Sequence, residues 1–390
     1  MHGRARRIVA TFMTAILAGA PGVFASFVND LKGDLDVHDP VMAKEGATYY
    51  VFWTGDFILK KTSTDRVTWT DVGTVFGASA PSWFKTYVPD NNGKTIWAPD
   101  ISFREGKWRL YYAVSTMGSR VSAIGLATSA TLKASDSLST WDDQGMVINS
   151  TTSDNYNCID PNAFMDSDST LWLVFGSWSS GIKLVQLNPK TGKPLQAPPS
   201  VISLASHSSG IEGAFLIKWK NYYYLFVSWD NCCKGVNSNY KIVVGRAATL
   251  KGPYYDKKNK SMTSGAGEVL DTGDNIRKGP GHNGIFIEHD TVFCVNHFYD
   301  ATHSGAPTMQ IRPIYWDENN WPSFKPTTGS IQQPSSTHGS SFTRLSAVRL
   351  IGKGACVFGN EQAVLFSING QRIKYTEAKE SPLRIYIEKK

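Results

Sequence analysis

Five residues able to transfer protons or bind ligands stand at the entry to apolar, strand-like runs, at intervals of roughly 50 to 70 residues. They are Asp39, Asp100, Asp160, Glu212 and His282. Two carboxyl groups at a fixed separation can cleave a glycosidic bond, because the protonated one donates to the leaving oxygen while the ionised one activates water or attacks. A third carboxylate near the acid would raise the pKa of that acid by repulsion between like charges. The pattern therefore indicates acid–base hydrolysis at a shared site.

The neighbours of the carboxyl groups indicate how the roles divide. Glu212 is followed by the run Gly213–Phe215, an apolar setting that favours the neutral form, so we assign Glu212 as the acid. Asp39 and Asp160 are each followed directly by a proline, which fixes the backbone and makes the placement of each carboxylate stiff. One of these two aspartates would be the base and the other would tune the acid, and the residues alone leave the choice open.

The elements that must position these residues are short strands. The stretch Cys158–Trp178 contains two apolar runs joined by an Asp/Ser turn, which is typical of a β-hairpin with a carboxyl group at its entry. Related units occur five times with room for four strands in each interval, so the sequence predicts an all-β fold, a five-bladed β-propeller. If the first strand of each blade is innermost, the five entry residues converge on the central channel. Turn capping explains Asp100 taken alone, but it does not predict Glu or His at the same register.

The net charge of +7 is concentrated at the two ends of the chain. Arginines precede an apolar run in the first 25 residues, and small residues follow up to Ala25, as in a secretory signal peptide. Gly19 and Pro21 interrupt the apolar run too early for a membrane anchor. The body of the chain is close to neutral, which argues against a nucleic-acid partner. No other stretch is long and apolar enough to span a membrane, so we expect a secreted protein.

Composition divides the chain into four parts. Residues 1–25 are the predicted signal peptide, and residues 26–327 form the propeller. Residues 328–341 are rich in Ser, Thr, Gly and Gln and are typical of a linker. Residues 342–390 contain short strand-like runs that are too few for another blade, so we expect a small C-terminal β-module there.

The cysteine count is odd, so at least one is unpaired unless it pairs between chains. The five are Cys158, Cys232, Cys233, Cys294 and Cys356. Cys232 and Cys233 are adjacent, and Cα atoms of neighbouring residues lie about 3.8 Å apart, below the usual disulfide span of roughly 4.4 to 6.8 Å. A bond between them would therefore be strained.

The ordered motifs carry a family resemblance. The segments concerned are Val37–Pro40, Trp97–Asp100, Ile159–Phe164, Ile211–Phe215 and Gly279–Gly284. Together they resemble the motif series of glycoside hydrolase family 43, in its endo-1,5-α-L-arabinanase branch. The resemblance implies a five-bladed propeller and an inverting mechanism. In it, Asp39 matches the general base, Asp160 the residue that raises the pKa of the acid and orients the sugar, and Glu212 the general acid.

The resemblance also implies a metal and one of the expected sugar contacts. The histidine that matches His282 faces a central calcium ion in this branch, and water would supply most of the ligands, since calcium prefers oxygen. The alternative is a histidine hydrogen-bonded in the channel without metal. The expected substrate-binding residues are Trp97, Asp100, Asn162, Ser177, Trp178 and Phe215. Of these, Ser177 matches a substrate-contacting serine of the family, and the aromatic rings offer flat faces to sugars. The segment Asp230–Tyr240 also resembles arabinanase sequences, and its cysteine pair would shape the wall of the cleft.

We therefore expect a secreted, monomeric endo-arabinanase that binds arabinan polysaccharide and its oligosaccharides. The C-terminal module weakly resembles the sorting domain of proteins exported by type IX secretion, which would attach the enzyme to the cell surface. Two alternatives stay open on the sequence. One is an exo-acting α-L-arabinofuranosidase or β-xylosidase on the same fold, and the other is a carbohydrate-binding propeller without activity.

Overall fold

The computed structural model describes residues 31–133 and 141–326, together with short strands between residues 349 and 386. The described residues are nearly all strand and loop, with one short helix, α1 (Phe84–Tyr87), and 3-10 turns at Gly235–Asn237, Met262–Ser264 and Ala301–His303. None of the helices in these ranges has the length and apolar character needed to cross a membrane. The predicted all-β, five-bladed propeller is confirmed.

The first two blades are five-stranded sheets. The strands of residues 31–133 and the one that follows are β1 (Lys32–Gly33), β2 (Val41–Glu45), β3 (Thr48–Trp53), β4 (Gly55–Asp56), β5 (Leu59–Ser63), β6 (Thr68–Thr74), β7 (Thr95–Arg104), β8 (Lys107–Val114), β9 (Ser122–Ser129) and β10 (Asp142–Ser150). Blade 1 has the order β1-β6-β5-β3-β2, and blade 2 has the order β10-β9-β8-β7-β4. Strand β4 therefore crosses from blade 1 to pair with β7 of the next blade.

The other three blades are four-stranded meanders in sequence order. Blade 3 consists of β11 (Asn162–Met165), β12 (Leu171–Phe175), β13 (Ile182–Leu187) and β14 (Ile202–Ala205). Blade 4 consists of β15 (Ile211–Trp219), β16 (Tyr222–Trp229), β17 (Lys241–Ala247) and β18 (Glu268–Asp271). Blade 5 consists of β19 (Arg277–Glu288), β20 (Thr291–Asp300), β21 (Ala306–Trp316) and β22 (Pro322–Ser323). The strands β2, β7, β11, β15 and β19 contact one another in turn and close a ring, so they are the innermost strands.

Five hydrophobic clusters fill the spaces between adjacent blades. Each cluster joins one blade to the next, and the fifth, which includes Met42, Val295 and Met309, joins blade 5 back to blade 1. Buried apolar surface stabilises by roughly 25 cal/mol per Å². Because every blade buries two faces in this way, no single blade has a complete core of its own.

The N-terminal strap, defined as residues 31–37, also links blades 5 and 1. Its β1 runs parallel to β6 of blade 1, where the backbone N–H of Asp34 donates to the carbonyl oxygen of Trp69 (3.0 Å). On the other side, the N–H of Met309 in blade 5 donates to the carbonyl oxygen of Leu35 (2.8 Å). The strap therefore adds backbone hydrogen bonds across the seam where the ring closes.

A residue with left-handed backbone stands at the start of the innermost strand of every blade. These residues are Asp39 (φ 54°), Ala98 (φ 41°), Asp160 (φ 55°), Gly213 (φ 59°) and His282 (φ 50°). In blades 2, 4 and 5 the pairing with the next strand shifts register at this point, as in a β-bulge. The predicted common register is therefore wrong for two members. Asp100 lies two residues after Ala98, the left-handed residue of blade 2. Glu212 lies one residue before Gly213, the left-handed residue of blade 4.

Beyond the propeller, the backbone contains five short strands. They are β23 (Arg349–Leu350), β24 (Cys356–Val357), β25 (Leu365–Phe366), β26 (Arg372–Tyr375) and β27 (Ile385–Tyr386). They form a two-stranded and a three-stranded sheet, and the chain divides into compact units at residue 335. The predicted signal peptide and linker lie outside the described residues, and the sorting-domain assignment stays a prediction.

Candidate active site

Asp39 is surrounded by hydrogen-bond donors. Its Oδ2 accepts from the hydroxyl of Thr54 (2.6 Å) and lies 2.9 Å from His38 Nδ1, while its Oδ1 lies 3.1 Å from His282 Nδ1. Burial alone would raise the pKa of Asp39, but His38 and His282 outweigh it and hold that pKa far below the usual range. Asp39 is therefore ionised, as a general base must be.

A second layer of side chains holds Asp39 from behind. The backbone N–H of Asp39 donates to His297 Nδ1 (3.1 Å), and the His297 ring stacks on that of His38 with centroids 4.1 Å apart. The hydroxyl of Tyr299 lies 2.8 Å from His38 Nε2 and 3.3 Å from His297 Nε2, and it accepts from the backbone N–H of Cys233 (2.7 Å). Burial lowers the pKa of His297 well below its usual value, so that ring is neutral.

Glu212 is held by two hydroxyl groups. Its Oε2 accepts from Ser177 (2.6 Å) and its Oε1 from Tyr240 (2.5 Å). Burial, with a further contribution from the charge of Asp39, raises the pKa of Glu212 even though both hydroxyls favour the ionised form. The family resemblance predicts Ser177 as a sugar contact. Tyr240 was missed, although it ends the segment Asp230–Tyr240 that also resembles arabinanase sequences.

Asp160 completes the carboxyl cluster. Its Oδ2 accepts from the backbone N–H of Gly213 (2.8 Å), the residue that follows Glu212 at the bulge. Burial, then the charges of Glu212 and Asp39, raises the pKa of Asp160 well above its usual value. Two buried carboxyl groups that repel each other retain a proton between them. The cluster therefore combines an ionised Asp39 with a proton shared by Asp160 and Glu212.

The side chains of Asp100 and Asn162 contact each other, and their hydrogen bonds run between adjacent blades. Asn162 Nδ2 donates to Asp100 Oδ1 (3.0 Å), and the backbone N–H of Ala163 donates to Asp100 Oδ2 (2.8 Å). Asn162 Oδ1 accepts in turn from the N–H of Leu216 in blade 4 (2.9 Å). Burial raises the pKa of Asp100 to about 6. These bonds tie the innermost strands of blades 2, 3 and 4 together, which is a different task from the predicted sugar contact.

The predicted aromatic residues lie in different environments. Trp178 is 44% exposed and its N–H donates to the carbonyl oxygen of Ile211 (2.8 Å), which places it beside Glu212. Trp97 is half-buried in the innermost strand of blade 2. Phe215 is also half-buried and packs against the clusters of blades 1–2 and 4–5, so it is part of the core below the site. Of these three residues, Trp178 is the most exposed and therefore the most accessible to a sugar ring.

The contacts of the His282 ring show which of its nitrogens could bind a metal ion. Its Nδ1 is taken by Asp39, so Nε2 is the ring nitrogen that a cation would use, and burial lowers the pKa of the ring and favours the neutral form that binds metal. Among the described residues, His282 does not belong to either group of three side chains close enough to share an ion. A calcium ion here would be hydrated, because it prefers six to eight oxygen ligands. The residues fit such an ion through one imidazole.

The cysteine pair lies at the edge of the same site. Cys232 and Cys233 form a disulfide bond, and Cys233 Sγ lies 3.8 Å from His38 Nε2. Cys158 and Cys294 are buried free thiols.

Comparison with known proteins gives consistent matches. The family profile for "Glycosyl hydrolases family 43" matches residues 33–322. The chain is 41% identical to the extracellular endo-α-(1→5)-L-arabinanase 1 of Bacillus subtilis, over 83% of this chain and 97% of that protein. It is 37% identical to the extracellular exo-α-(1→5)-L-arabinofuranosidase ArbA of Cellvibrio japonicus, over 74% and 86%. The solved structure of an endo-arabinanase from Bacillus licheniformis is 42% identical, with a TM-score of 0.71 over 76% of this chain and 99% of that one.

Proposed function

The chain belongs to glycosyl hydrolase family 43, and we propose that it is an endo-1,5-α-L-arabinanase, which hydrolyses internal α-1,5-L-arabinofuranosyl bonds in arabinan. The observation that carries the proposal is the divided protonation of the carboxyl cluster. Asp39 is ionised by its donors, whereas burial and mutual repulsion keep one proton on the pair formed by Asp160 and Glu212. A glycosidase needs one carboxylate and one carboxylic acid at the same pH.

The mechanism follows from the surroundings of each group. Asp39 accepts a proton from a water molecule, whose oxygen attacks the anomeric carbon of the sugar. Glu212 gives its proton to the oxygen of the leaving sugar as the glycosidic bond breaks. Water enters on the face opposite to the leaving group, so the product has inverted configuration. Ser177 and Tyr240 then hold the new carboxylate of Glu212, since both hydroxyls already donate to its oxygens.

Asp160 and Glu212 repel each other when both are ionised, so the pair retains one proton, which Glu212 delivers in the reaction. The carboxyl group of Asp160 is tied to the N–H of Gly213, so it cannot turn away from its neighbour without losing that bond. Trp178, exposed beside Glu212, offers the flat apolar face on which a sugar ring packs.

We also propose that the channel binds a calcium ion and that the protein is exported. His282 Nε2 would hold a hydrated calcium ion, which supplies positive charge to a channel lined by three carboxyl groups. The extracellular relative in Bacillus subtilis supports export by the N-terminal segment of residues 1–25. Chelation by EDTA should lower the melting temperature of the purified enzyme if the ion is present, and calcium should restore it.

An exo-acting enzyme is the second candidate, since an exo-acting relative is 37% identical to this chain. The two are separated by incubating the enzyme with linear arabinan and resolving the products over time. A ladder of oligosaccharides at early times supports endo action, while arabinose or one short product from the start contradicts it. A chain that binds arabinan without releasing product would be a binding propeller. Glu212→Ala serves as the inactive control.

A further inference from the structure

The disulfide loop, defined as residues 231–239, connects the second and third strands of blade 4 beside the site. Its ends are pinned to each other, because the N–H of Asn231 donates to Asn239 Oδ1 (3.0 Å) and the N–H of Asn239 donates to the carbonyl oxygen of Asn231 (3.1 Å). The Cys232–Cys233 bond closes the loop at the side that faces Tyr299. The position of the Cys233 N–H is therefore set by the loop.

Hydrogen bonds run from this loop to the catalytic base. The N–H of Cys233 donates to the oxygen of Tyr299 (2.7 Å), the Tyr299 hydroxyl lies 2.8 Å from His38 Nε2, and His38 Nδ1 lies 2.9 Å from Asp39 Oδ2. His297 adds a fourth contact, with its Nε2 3.3 Å from the Tyr299 oxygen. Tyr299 is the point at which the contacts meet.

The direction of each bond follows from the donors available. His297 Nδ1 accepts from the backbone N–H of Asp39, so the proton of this neutral ring is on Nε2 and points to the Tyr299 oxygen. That oxygen also accepts from the N–H of Cys233, so the Tyr299 hydroxyl donates its own proton to His38 Nε2. Burial lowers the pKa of His38, but the charge of Asp39 outweighs it and raises that pKa. Above the raised pKa the neutral ring carries its proton on Nδ1 and donates it to Asp39. The loop, through Tyr299, selects the tautomer of His38.

We propose that Tyr299 is a positioning residue for the catalytic base and that the Cys232–Cys233 bond is a working part of the active site. The tyrosine fixes the tautomer of His38, and His38 orients the carboxylate of Asp39. The naming of Asp39 as base rests on the proposed function, whereas the tautomer of His38 does not depend on it.

Tyr299→Phe tests the proposal, with Tyr224→Phe as a matched control. Tyr224 is also buried, but its hydroxyl bonds to the carbonyl oxygen of Asn320, between blades 4 and 5. Small misplacements of catalytic groups cost up to about 100-fold, so we expect kcat on linear arabinan to fall by about 10- to 100-fold in Tyr299→Phe with KM little changed. The control should keep the wild-type kcat. An unchanged kcat in Tyr299→Phe, or an equal loss in the control, overturns the proposal.

The double variant Cys232→Ser/Cys233→Ser tests the part played by the loop. We expect its kcat to fall by about tenfold, and we expect no further loss when Tyr299→Phe is added, because both changes break the same chain of bonds. Multiplicative losses would show that the disulfide acts by another route. A wild-type kcat in the double variant would show that the disulfide bond has no part in the active site.

Nitrogen NMR of ¹⁵N-histidine-labelled protein tests the tautomer without using activity. At a pH above the raised pKa of His38, where the ring is neutral, we expect the wild type to show the His38 signals of a ring protonated on Nδ1 only. In Tyr299→Phe at the same pH we expect a mixture of tautomers. His38→Gln assigns the signals. A wild-type ring protonated on Nε2 only contradicts the proposal even if the enzyme cleaves arabinan. The expected signals with no cleavage of arabinan would leave the inference intact and reject the proposed function.

Discussion

Asp39 and Glu212 are buried to the same extent, and their neighbours drive their protonation states apart. Asp39 faces imidazole rings and the hydroxyl of Thr54, which favour the charged form. Glu212 has only hydroxyl donors and lies near the negative charge of Asp39, so burial prevails and its pKa rises. The same low-dielectric channel therefore contains a base and an acid, and each role can be tested by substitution.

Glu212→Ala should abolish the hydrolysis of arabinan, with a loss of kcat of about 10²- to 10⁴-fold as for other general acids. Aryl arabinosides with a good leaving group should recover much of this rate, because the leaving oxygen no longer needs a proton. Steady-state kinetics on both substrates checks the expectation. Equal losses on the polymer and the aryl substrate would remove Glu212 from the role of acid.

Asp39→Ala should leave no measurable turnover on either substrate. The base activates the attacking water, and that step is required whatever the leaving group. The same pair of kinetic assays measures the outcome, with circular dichroism to confirm that the variant is folded. Clear activity of Asp39→Ala on the aryl arabinoside would contradict its assignment as base.

Asp160→Asn should move the alkaline limb of the pH profile of kcat/KM to lower pH. Asparagine cannot ionise, so it removes the repulsion between two carboxylates that holds the last proton on the Asp160–Glu212 pair, and Glu212 loses its proton at a lower pH. The acidic limb, which reports Asp39, should move much less. An alkaline limb at the wild-type position would show that Asp160 does not tune the acid.

Asp160→Asn should also stabilise the fold as pH rises. The folded-state pKa of Asp160 is raised, so its contribution to stability is fully present below the unfolded pKa and is lost as pH rises through the folded one. Asparagine cannot ionise, and the variant avoids that loss. Thermal unfolding should therefore show a melting temperature above that of the wild type at pH 8 and a smaller difference at pH 5. The same difference in melting temperature at pH 5 and at pH 8 would contradict this link between the ionisation of Asp160 and stability.

At the scale of strands, the sequence predicts the repeat but not its register. The five apolar runs and their turns are local patterns, and they correctly predict the five blades. The bulge is a property of pairing, so its position is not visible in one strand alone. For that reason the sequence pattern places Asp100 in register with Asp39, although Ala98 has the matching backbone. Tyr240 was missed for a related reason, since only tertiary folding brings it to Glu212.

The bulge of blade 4 gives a test at this scale. A Cβ at Gly213 would lie 3.2 Å from His282 Cα and 3.3 Å from His282 Nδ1, and the backbone there has φ of 59°. We therefore expect Gly213→Ala to destabilise the fold by about 1–3 kcal/mol and to lower kcat, because the added Cβ displaces His282, whose ring contacts Asp39. Ala98→Gly relieves the same left-handed backbone in blade 2 and should leave kcat unchanged. Equal kcat values in the two variants would show that the bulge of blade 4 does not support the active site.

At the scale of the whole molecule, the propeller brings together carboxyl groups that are distant in sequence. Asp39 comes from blade 1, Asp160 from blade 3 and Glu212 from blade 4, and each side chain is held by an element of another blade. The bond between His282 and Asp39 crosses the seam between blades 5 and 1. The geometry of the site therefore depends on how firmly the ring is closed.

The N-terminal strap is the element that tests ring closure. A chain that begins at Asp36 loses the bonds of Lys32 to Val67, of Asp34 to Trp69 and of Met309 to Leu35. At about 1 kcal/mol for each, the free energy of unfolding should fall by about 3 kcal/mol. A chain that begins at Leu31 is the control. Urea unfolding followed by tryptophan fluorescence measures the difference in the free energy of unfolding. The kcat of the shortened chain should fall only when the urea concentration approaches its midpoint of unfolding. Equal stability of the two chains would mean that the cluster around Met42 and Val295 closes the ring without the strap.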